Sequence, residues 1–270
     1  MTEKKEVALK KETPIANAEL DAMLMEDAGA GTEFMSKDDF AIPRISILQS
    51  GSDQVKKSSG GYIQGAEEGM FFDNISNEIK DGGEGLIFIP VSYRRAHIEW
   101  KPRTAGGGFV ADHGISDAEY KACEVDDKGN HITADGNEIV PTAEYYGLVV
   151  DEEKKTTKQV VISLAKSQLK KARRWNTLIN QLQIPKPDGK GTMNPAMFYM
   201  AYKLTTVPES NDNGSWFGIS VAAYKPTTEI GGVELYMAAR EFRKAVIGGD
   251  VKVANPVEMA SDAESDSDPM

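Results

Sequence analysis

One short stretch of the chain concentrates positive charge, and it reads AKSQLKKARRWN from Ala165 to Asn176. Five cations and no acid fall between Lys166 and Arg174, although the whole chain carries a formal net charge of −11. On a helix, like charges three or four residues apart repel by a few tenths of a kcal/mol, so ordinary solvated faces mix acids with bases. The imbalance therefore predicts an anionic partner, with a plain solvated face as the alternative.

A second basic segment, YRRAHIEWKPR at residues 93–103, interleaves four cations with Tyr and Trp against one acid, Glu99. Cations that follow phosphates, beside rings that stack on unpaired bases, are typical of single-stranded nucleic-acid binding. Packing of these rings in a core is the alternative. The predicted nucleic-acid-binding residues are Tyr93, Arg94, Arg95, Trp100, Lys101, Arg103, Lys158, Lys166, Lys170, Lys171, Arg173, Arg174 and Trp175.

Residues suited to catalysis or metal binding form no clear pattern. The single cysteine, Cys123, has no close Cys or His neighbour of the kind that zinc sites use. Two-metal nucleases need clustered carboxylates, and the candidates Asp112, Asp117 and Glu119 lie in a glycine-rich segment without a recognisable motif. The sequence therefore predicts a protein that is not an enzyme and holds no metal or cofactor.

Strands in hairpins are predicted to position the basic segments. The segments AEYYGLVV and KQVVISLA flank the polar turn DEEKKTT, and a second pair flanks the turn PESNDNG. AIPRISIL and EGLIFIPVSYRR read as further strands, the second of them long and apolar at its start. These patterns predict an α+β fold that is mainly antiparallel β, either an oligonucleotide-binding-like barrel or a barrel-like sheet.

Two amphipathic helices are predicted to be appended to this sheet. The first contains the basic stretch, with Ser163 as its cap and Pro185 as its end. On this helix Trp175 is expected at the boundary between the cationic and the apolar faces. The second helix is predicted near Val233 to Ile247, where Gly248 and Gly249 stop it.

Both ends of the chain are acidic. Residues 1–39 and 250–270 each carry a net charge of −5, which leaves −1 for residues 40–249. The C-terminal stretch MASDAESDSDPM has almost nothing to bury and is predicted to be a disordered tail. The N-terminal segment is also predicted to be a disordered tail, in which NAELDAMLMEDA could form a short helix, and a single β-rich nucleic-acid-binding domain is predicted between them at 40–249. A tethered polyanion can compete for a cationic groove at millimolar effective concentration. The C-terminal tail is therefore interpreted either as such a competitor or as a segment that keeps the protein soluble.

The compartment is constrained by what the sequence lacks. No run of about 18 apolar residues suggests a membrane span, and the N-terminus MTEKKEVALKKETP has no apolar signal region. A single cysteine suits a reducing interior. The sequence therefore predicts no membrane partner.

Six segments of the body resemble a family of tailed-bacteriophage proteins. They are AIPRISILQSGSDQV, GYIQGAEEGMFFD, GLIFIPVSYRRAHIEWKPR, GGGFVADHG, SQLKKARRWN and TTVPESNDNGSWFG, and the resemblance spans roughly residues 40–247. It implies a viral protein that acts in the host bacterial cytoplasm. The acidic C-terminus is separately similar to the tails of phage and bacterial single-stranded DNA-binding proteins, although MASDAESDSDPM lacks their terminal aromatic or Pro-Phe ending.

These observations together predict a sequence-independent single-stranded DNA-binding protein of phage DNA replication or recombination. Single-stranded DNA is the predicted partner, and the C-terminal tail is expected to recruit phage replication or recombination proteins. The oligomeric state, including a homo-oligomer, stays open. Two alternatives remain: a phage virion or assembly protein whose basic helix binds an acidic protein, and a metal-dependent nuclease.

Overall fold

The computed structural model describes residues 14–36, 39–211 and 214–254. The chain divides into two compact units, Met1–Phe40 and Ala41–Met270. In the first unit, the helix α1 (Pro14–Glu26) exposes Leu20, Met23 and Leu24. This helix falls within the segment 1–39, for which the sequence predicts a disordered tail, at the place where NAELDAMLMEDA was expected to form a short helix. The disorder predicted for residues 1–13 and 255–270 lies outside the described residues.

The second unit is built on one large sheet with helices on both of its faces. Its main strands are β1 (Arg44–Ile47), β2 (Phe71–Asp73), β3 (Ile79–Lys80), β4 (Leu86–Trp100), β5 (Phe109–Asp112), β6 (Glu124–Val125), β7 (His131–Ile132), β8 (Glu138–Asp151) and β9 (Thr156–Ala165). Later in the chain come β10 (Ile184–Pro185), β11 (Thr192–Met193), β12 (Met200–Asn211) and β13 (Gly214–Pro226). The helices are α2 (Ala118–Ala122), α3 (Leu169–Gln181) and α4 (Thr227–Gly248).

The sheet is rich in antiparallel pairs and curls into a half-barrel. Its strand order is β13-β12-β4-β8-β9-β1-β2-β3, with β1 parallel to β9. Gln49, just after β1, reaches the outer edge of β13: its Nε2 donates to the Phe217 carbonyl at 2.9 Å, and its Oε1 accepts from the Phe217 N–H at 2.8 Å. These two hydrogen bonds connect β1 to β13, which are not paired through their backbones in the described sheet. The predicted α+β class with a barrel-like sheet is confirmed in this form.

Both predicted hairpins are confirmed. β8 and β9 pair from Thr142 opposite Ala165 to Asp151 opposite Thr156. β12 and β13 pair up to Asn211 opposite Gly214, so the strands extend through most of the segment predicted as a turn. The predicted second strand pair is thus longer than its hydrophobic pattern indicates.

The sheet is buried on both faces, which explains its continuous apolar runs. On the inner face of the curl, Phe88, Tyr145 and Tyr202 belong to a core that α3 covers. The outer face carries a second core with Ile89, Val91, Tyr146 and Leu148. Helix α4 packs there through the buried residues Leu235, Ala239 and Phe242, which recur at helical spacing.

The predicted start of the basic helix is wrong. Ser163 does not cap a helix, because β9 continues to Ala165 and Ser163 lies opposite Glu144 in the ladder. Lys166 adopts a left-handed φ of 50°, and the chain turns there into a short 3-10 segment before α3 begins at Leu169. The helix ends at Gln181, ahead of Pro185.

The second helix agrees with its prediction over Val233 to Ile247. It starts earlier, at Thr227, but non-helical angles at Gly231 and Gly232 interrupt it. Gly249 ends it in the left-handed conformation, with φ 74°.

Residues 250–254, which the sequence places in the acidic tail, are bonded into the second unit. Val251 and Val253 pack against the outer core, and Ala254 is buried. The Ile42 N–H donates to the Lys252 carbonyl at 2.8 Å, and the Ala254 N–H donates to the Ile42 carbonyl at 2.9 Å. No helix in the described part of the chain combines the length and apolar character that a membrane span needs.

Candidate nucleic-acid interface

Helix α3 is held on the inner face of the sheet by Trp175. The indole is completely buried, stacks on the Tyr145 ring at 4.1 Å and 22°, and meets Phe88 and Tyr202 edge-on. Its predicted position at the boundary of the helix is therefore wrong, and so is its predicted role in stacking on bases. The Tyr145 hydroxyl adds a polar anchor, at 3.0 Å from the Ala172 carbonyl oxygen.

The opposite side of α3 carries three exposed cations, Lys170, Arg173 and Arg174. The helix contains no Asp or Glu, and within the described residues none of the three forms an ion pair. We call these three residues the α3 cationic face. Within the part of the chain that the structure describes, no carboxylate neutralises their charge, so it is available to an anionic ligand.

Tyr93 and Arg95 lie beside this helix on the inner face of β4. Residues directly opposite in an antiparallel ladder share a face, and Tyr93 pairs with Tyr145 while Arg95 pairs with Ala143. Both partners belong to the core beneath α3. The Tyr93 ring is 37% exposed and contacts the Tyr145 ring at 5.1 Å, and Arg95 is exposed.

The structure thus brings five of the predicted residues into one region. We call this set, Tyr93, Arg95 and the α3 cationic face, the interface patch. It offers four positive charges that form no ion pair with a described residue, and one half-exposed ring. Positive charges and stacking rings are the two components of a sequence-tolerant single-strand site. Tyr145 joins its two parts, because its ring contacts Tyr93 and its hydroxyl lies 2.8 Å from Asn176 Oδ1 on α3.

Three other predicted lysines are engaged by carboxylates. Lys166 Nζ lies 2.9 Å from Glu138, and Lys171 Nζ lies 2.5 Å from Glu209. Lys158 Nζ lies 3.0 Å from Asp73 Oδ2 and 2.6 Å from a second carboxylate, that of Glu78. Burial acts to lower the pKa of Lys158, but the bonds to its two acids outweigh it and raise the pKa. These lysines connect separate segments of the fold, and their positive charges are neutralised by the carboxylates they contact.

Arg94 points to the outer face, away from the interface patch. Its Nε donates to Glu144 Oε2 at 2.7 Å, and its Nη2 pairs with Asp112. Arg44 donates from the other side to Glu144 Oε1 at 2.6 Å. Burial acts to lower the pKa of Arg94, but the attraction of Glu144 outweighs this effect, and the pKa lies above its ordinary value. Since the Glu144 side chain is completely buried, this cluster holds β1, β4 and β8 together.

The remaining predicted residues lie at the far end of β4. Trp100 is partly buried and meets the Phe109 ring edge-on at 6.0 Å. Lys101 is exposed, and Arg103 begins a 3-10 turn, Arg103–Ala105, with its side chain outside the described part. At a rise of about 3.3 Å per residue, Trp100 is roughly 17 Å from Arg95. These residues therefore do not belong to the interface patch.

Two of the three carboxylates considered for a nuclease are also paired. Asp112 bonds Arg94, and Asp117 Oδ2 lies 2.7 Å from Lys121 Nζ. Among the described residues, no three His, Cys, Asp or Glu side chains are grouped so that they could hold a metal ion.

Sequence reasoning missed the carboxylate that ties α3 to the β12–β13 hairpin. Glu209 accepts from Trp216 Nε1 at 2.9 Å and from Gln168 Nε2 at 3.1 Å, besides its ion pair with Lys171. Burial acts to raise the pKa of Glu209, but these three donors lower it overall. Gln168 and Glu209 are 41 residues apart, so no local pattern signals the contact.

Comparison with known proteins identifies the class to which this half-barrel belongs. The model of a phage protein family matches residues 10–252, and the chain belongs to that family, the Pam3 phage gp34-like proteins. The expected phage origin is thereby confirmed. No curated protein and no solved structure matches the chain.

Proposed function

We propose that this phage protein binds single-stranded DNA without strict sequence preference and serves viral DNA replication or recombination in the host cytoplasm. The observation that carries the proposal is the α3 cationic face. Three neighbouring cations of a net acidic chain have no acidic partner among the described residues, while three other lysines nearby in sequence do. Repulsion among unpaired cations on one helix is offset when an anion binds.

The geometry of the patch favours a single strand over a duplex. Phosphates of a flexible strand can follow Arg95, Lys170, Arg173 and Arg174, while an unpaired base stacks on the exposed face of Tyr93. Stacking of this kind contributes about 1–3 kcal/mol per base and is sequence-tolerant, because every base has a π-face. In a duplex the bases are already stacked on one another, so the ring would contribute nothing.

The half-barrel is consistent with an oligonucleotide-binding-like platform, and we interpret the curled sheet in that way. Such barrels bind strands on an exposed sheet surface and adjoining loops. Here a helix covers part of the inner face, and the proposed contacts lie on that helix and beside it. The acidic C-terminal tail is proposed to compete for the same cations and to recruit phage replication proteins when DNA frees it.

Fluorescence anisotropy with labelled oligonucleotides of equal length tests the proposal. The full chain should bind single-stranded DNA more tightly than duplex, and four phosphate contacts should give a log–log salt slope of about −2.8. RNA of the same sequence is included to define strand preference. Equal affinity for duplex and single strand would argue against base stacking. Absence of binding at low salt would contradict the proposal and favour an acidic protein as the partner of α3.

A further inference from the structure

A groove runs between α3 and the β12–β13 hairpin, on the flank of the α3 cationic face. Arg174, Trp175 and Leu178 line it from the helix, and Val207, Ser220 and Val221 line it from the strands. Its volume is about 260 Å³, slightly below the roughly 300–1,000 Å³ of pockets that hold drug-sized ligands. The groove is thus of a size for one flat heterocycle rather than a whole nucleotide.

One residue that lines this groove, Trp175, carries a buried hydrogen-bond donor without an acceptor among the described residues. Trp175 is completely buried, and its Nε1–H has no hydrogen-bond partner among the described residues. An unsatisfied buried donor is destabilising, and most buried polar groups in proteins are satisfied. The indole of Trp216, by contrast, is bonded to Glu209. A ligand that offered an acceptor to the groove would satisfy the Trp175 N–H.

We propose that this groove takes one base of the bound strand, with a preference for bases that carry a ring carbonyl, such as thymine. This inference rests on the proposed function, because Arg174 belongs both to the α3 cationic face and to the groove. A phosphate on Arg174 brings the attached base to the mouth of the groove, where Leu178 is 42% exposed. The base enters between these two flexible side chains and lies against Val221.

The polar groups of the groove set the preference. The indole N–H is a donor only, and the Ser220 hydroxyl can also donate. Lys171 and Glu209 line the groove as well, but they pair with each other at 2.5 Å. The Glu209 carboxylate also accepts from Trp216 and Gln168, so its oxygens are already engaged. Thymine offers two carbonyl oxygens as acceptors to such donors. Adenine can accept only through its ring nitrogens, and its amino group is a donor that would face the donor N–H of the indole. The preference is modest within otherwise sequence-tolerant binding, since the phosphate contacts and the Tyr93 stacking are common to all bases.

The indole N–H signals in the ¹H–¹⁵N spectrum of the full chain test this directly. The three tryptophans give three signals, which the variants Trp100→Phe and Trp216→Phe assign. Saturating oligo-dT should shift the Trp175 signal downfield, as expected for a new hydrogen bond, and oligo-dA of the same length should shift it less. The Trp216 signal should move little, because its N–H already has an acceptor. An unmoved Trp175 signal in a protein saturated with oligo-dT would overturn the proposal.

A second measurement uses the rim of the groove. Leu178→Ala should reduce the ratio of dT to dA affinities severalfold, towards one. Met237→Ala is the matched control, since Met237 lies on α4 with a nearly equal exposure of 41%, and it should leave the ratio unchanged. Tight binding of both oligonucleotides without a base preference would overturn the groove proposal and spare the proposed function. A wild-type chain that binds neither oligonucleotide would overturn both.

Discussion

Chemically identical side chains have different roles in this protein because of what surrounds them. Lys158 and Lys170 read alike in the sequence, yet Lys158 bridges two carboxylates and Lys170 is exposed without an ion pair in the described part of the chain. The partner Asp73 lies 85 residues from Lys158. Sequence reasoning identified the cations but not their partners, because ion pairing depends on which strands meet.

A pair of single substitutions tests this distinction. Lys158→Ala should lower the free energy of unfolding by about 1 kcal/mol, a modest loss because the lysine is partly in solvent. It should leave the affinity for single-stranded DNA unchanged. Lys170→Ala should do the reverse, with weaker binding and near-wild-type stability, since alanine is a strong helix former. Urea unfolding and anisotropy titrations on both variants provide the measurements, and a loss of DNA affinity in Lys158→Ala would contradict the assignment.

The carboxylate of Asp73 predicts how part of the stability depends on pH. Burial acts to raise the pKa of Asp73, but bonds from the Ser76 and Ile75 N–H groups and from Lys158 lower it overall. Its folded pKa is below the unfolded value of about 3.9. The stabilisation is therefore fully present above about pH 4 and is lost as the pH falls through the folded pKa.

Comparison of the wild type with Asp73→Asn makes this measurable. The wild type should be more stable than the variant at pH 7, and the difference in unfolding free energy should shrink between about pH 4 and pH 2. Denaturant unfolding at several pH values gives the difference. A gap that stays constant over this range would show that the ionised form of Asp73 is not preferred by the fold.

Among the secondary-structure elements, α3 is the one on which the proposed DNA binding depends. Its amphipathic pattern predicted a helix with a cationic face, and that much is confirmed. Its start was mispredicted because the sequence SLAKSQ, residues 163–168, is compatible with either a strand or a helix. The pairing of Ala165 with Thr142 shows that the strand β9 continues to Ala165. The burial of Trp175 was equally hidden, since the ring packs against strands from three other parts of the chain.

Gly218 tests how α3 is held. A Cβ at this position would come closer than 3.0 Å to Glu209, Lys171 and Gln168, so a side chain there displaces the groups that join the helix to the hairpin. Gly218→Ala should lower stability by about 1 kcal/mol, because the atoms that must move are the ends of flexible side chains and the loss is that of their hydrogen bonds. It should also weaken DNA binding, because the cationic face loses its fixed position. Gly214→Ala changes another glycine of β13 that has nothing within 4 Å, although its φ of 139° adds local strain, and it should leave DNA binding intact.

At the level of the whole molecule, the hairpins and a barrel-like sheet were predictable, but the long-range contacts that curl the sheet were not. Alternating and continuous apolar runs bounded by turn residues revealed the β8–β9 and β12–β13 pairs. The approach of β1 to β13 depends on contacts such as Gln49 with Phe217, which are 168 residues apart. The interface patch depends on equally distant contacts, since Tyr145 on β8 meets both Tyr93 and Trp175. Sequence reasoning therefore proposed thirteen residues, of which the fold gathers five.

Two truncations separate the acidic tail from the folded unit. Removal of residues 255–270 deletes a net charge of −5 and should raise the affinity for single-stranded DNA, most strongly at low salt, where charges are least screened. Stability should stay near that of the wild type. Removal of residues 250–270 should destabilise the protein as well, because it takes away Val251, Val253 and the bonds to Ile42. If the shorter truncation leaves affinity at low salt unchanged, the tail does not compete with DNA.

The most direct test of the central claim compares two triple variants in which the same number of cations is removed from opposite faces of the sheet. One is Lys170→Ala, Arg173→Ala, Arg174→Ala on α3, and the other is Arg240→Ala, Arg243→Ala, Lys244→Ala on α4. The measured quantity is the slope of log affinity for single-stranded DNA against log salt concentration. We predict that the α3 variant loses about 2 from the magnitude of the slope, at about 0.7 per phosphate contact, and that the α4 variant keeps the wild-type slope. Equal slopes in two folded variants would contradict it and leave α3 a solvated helix.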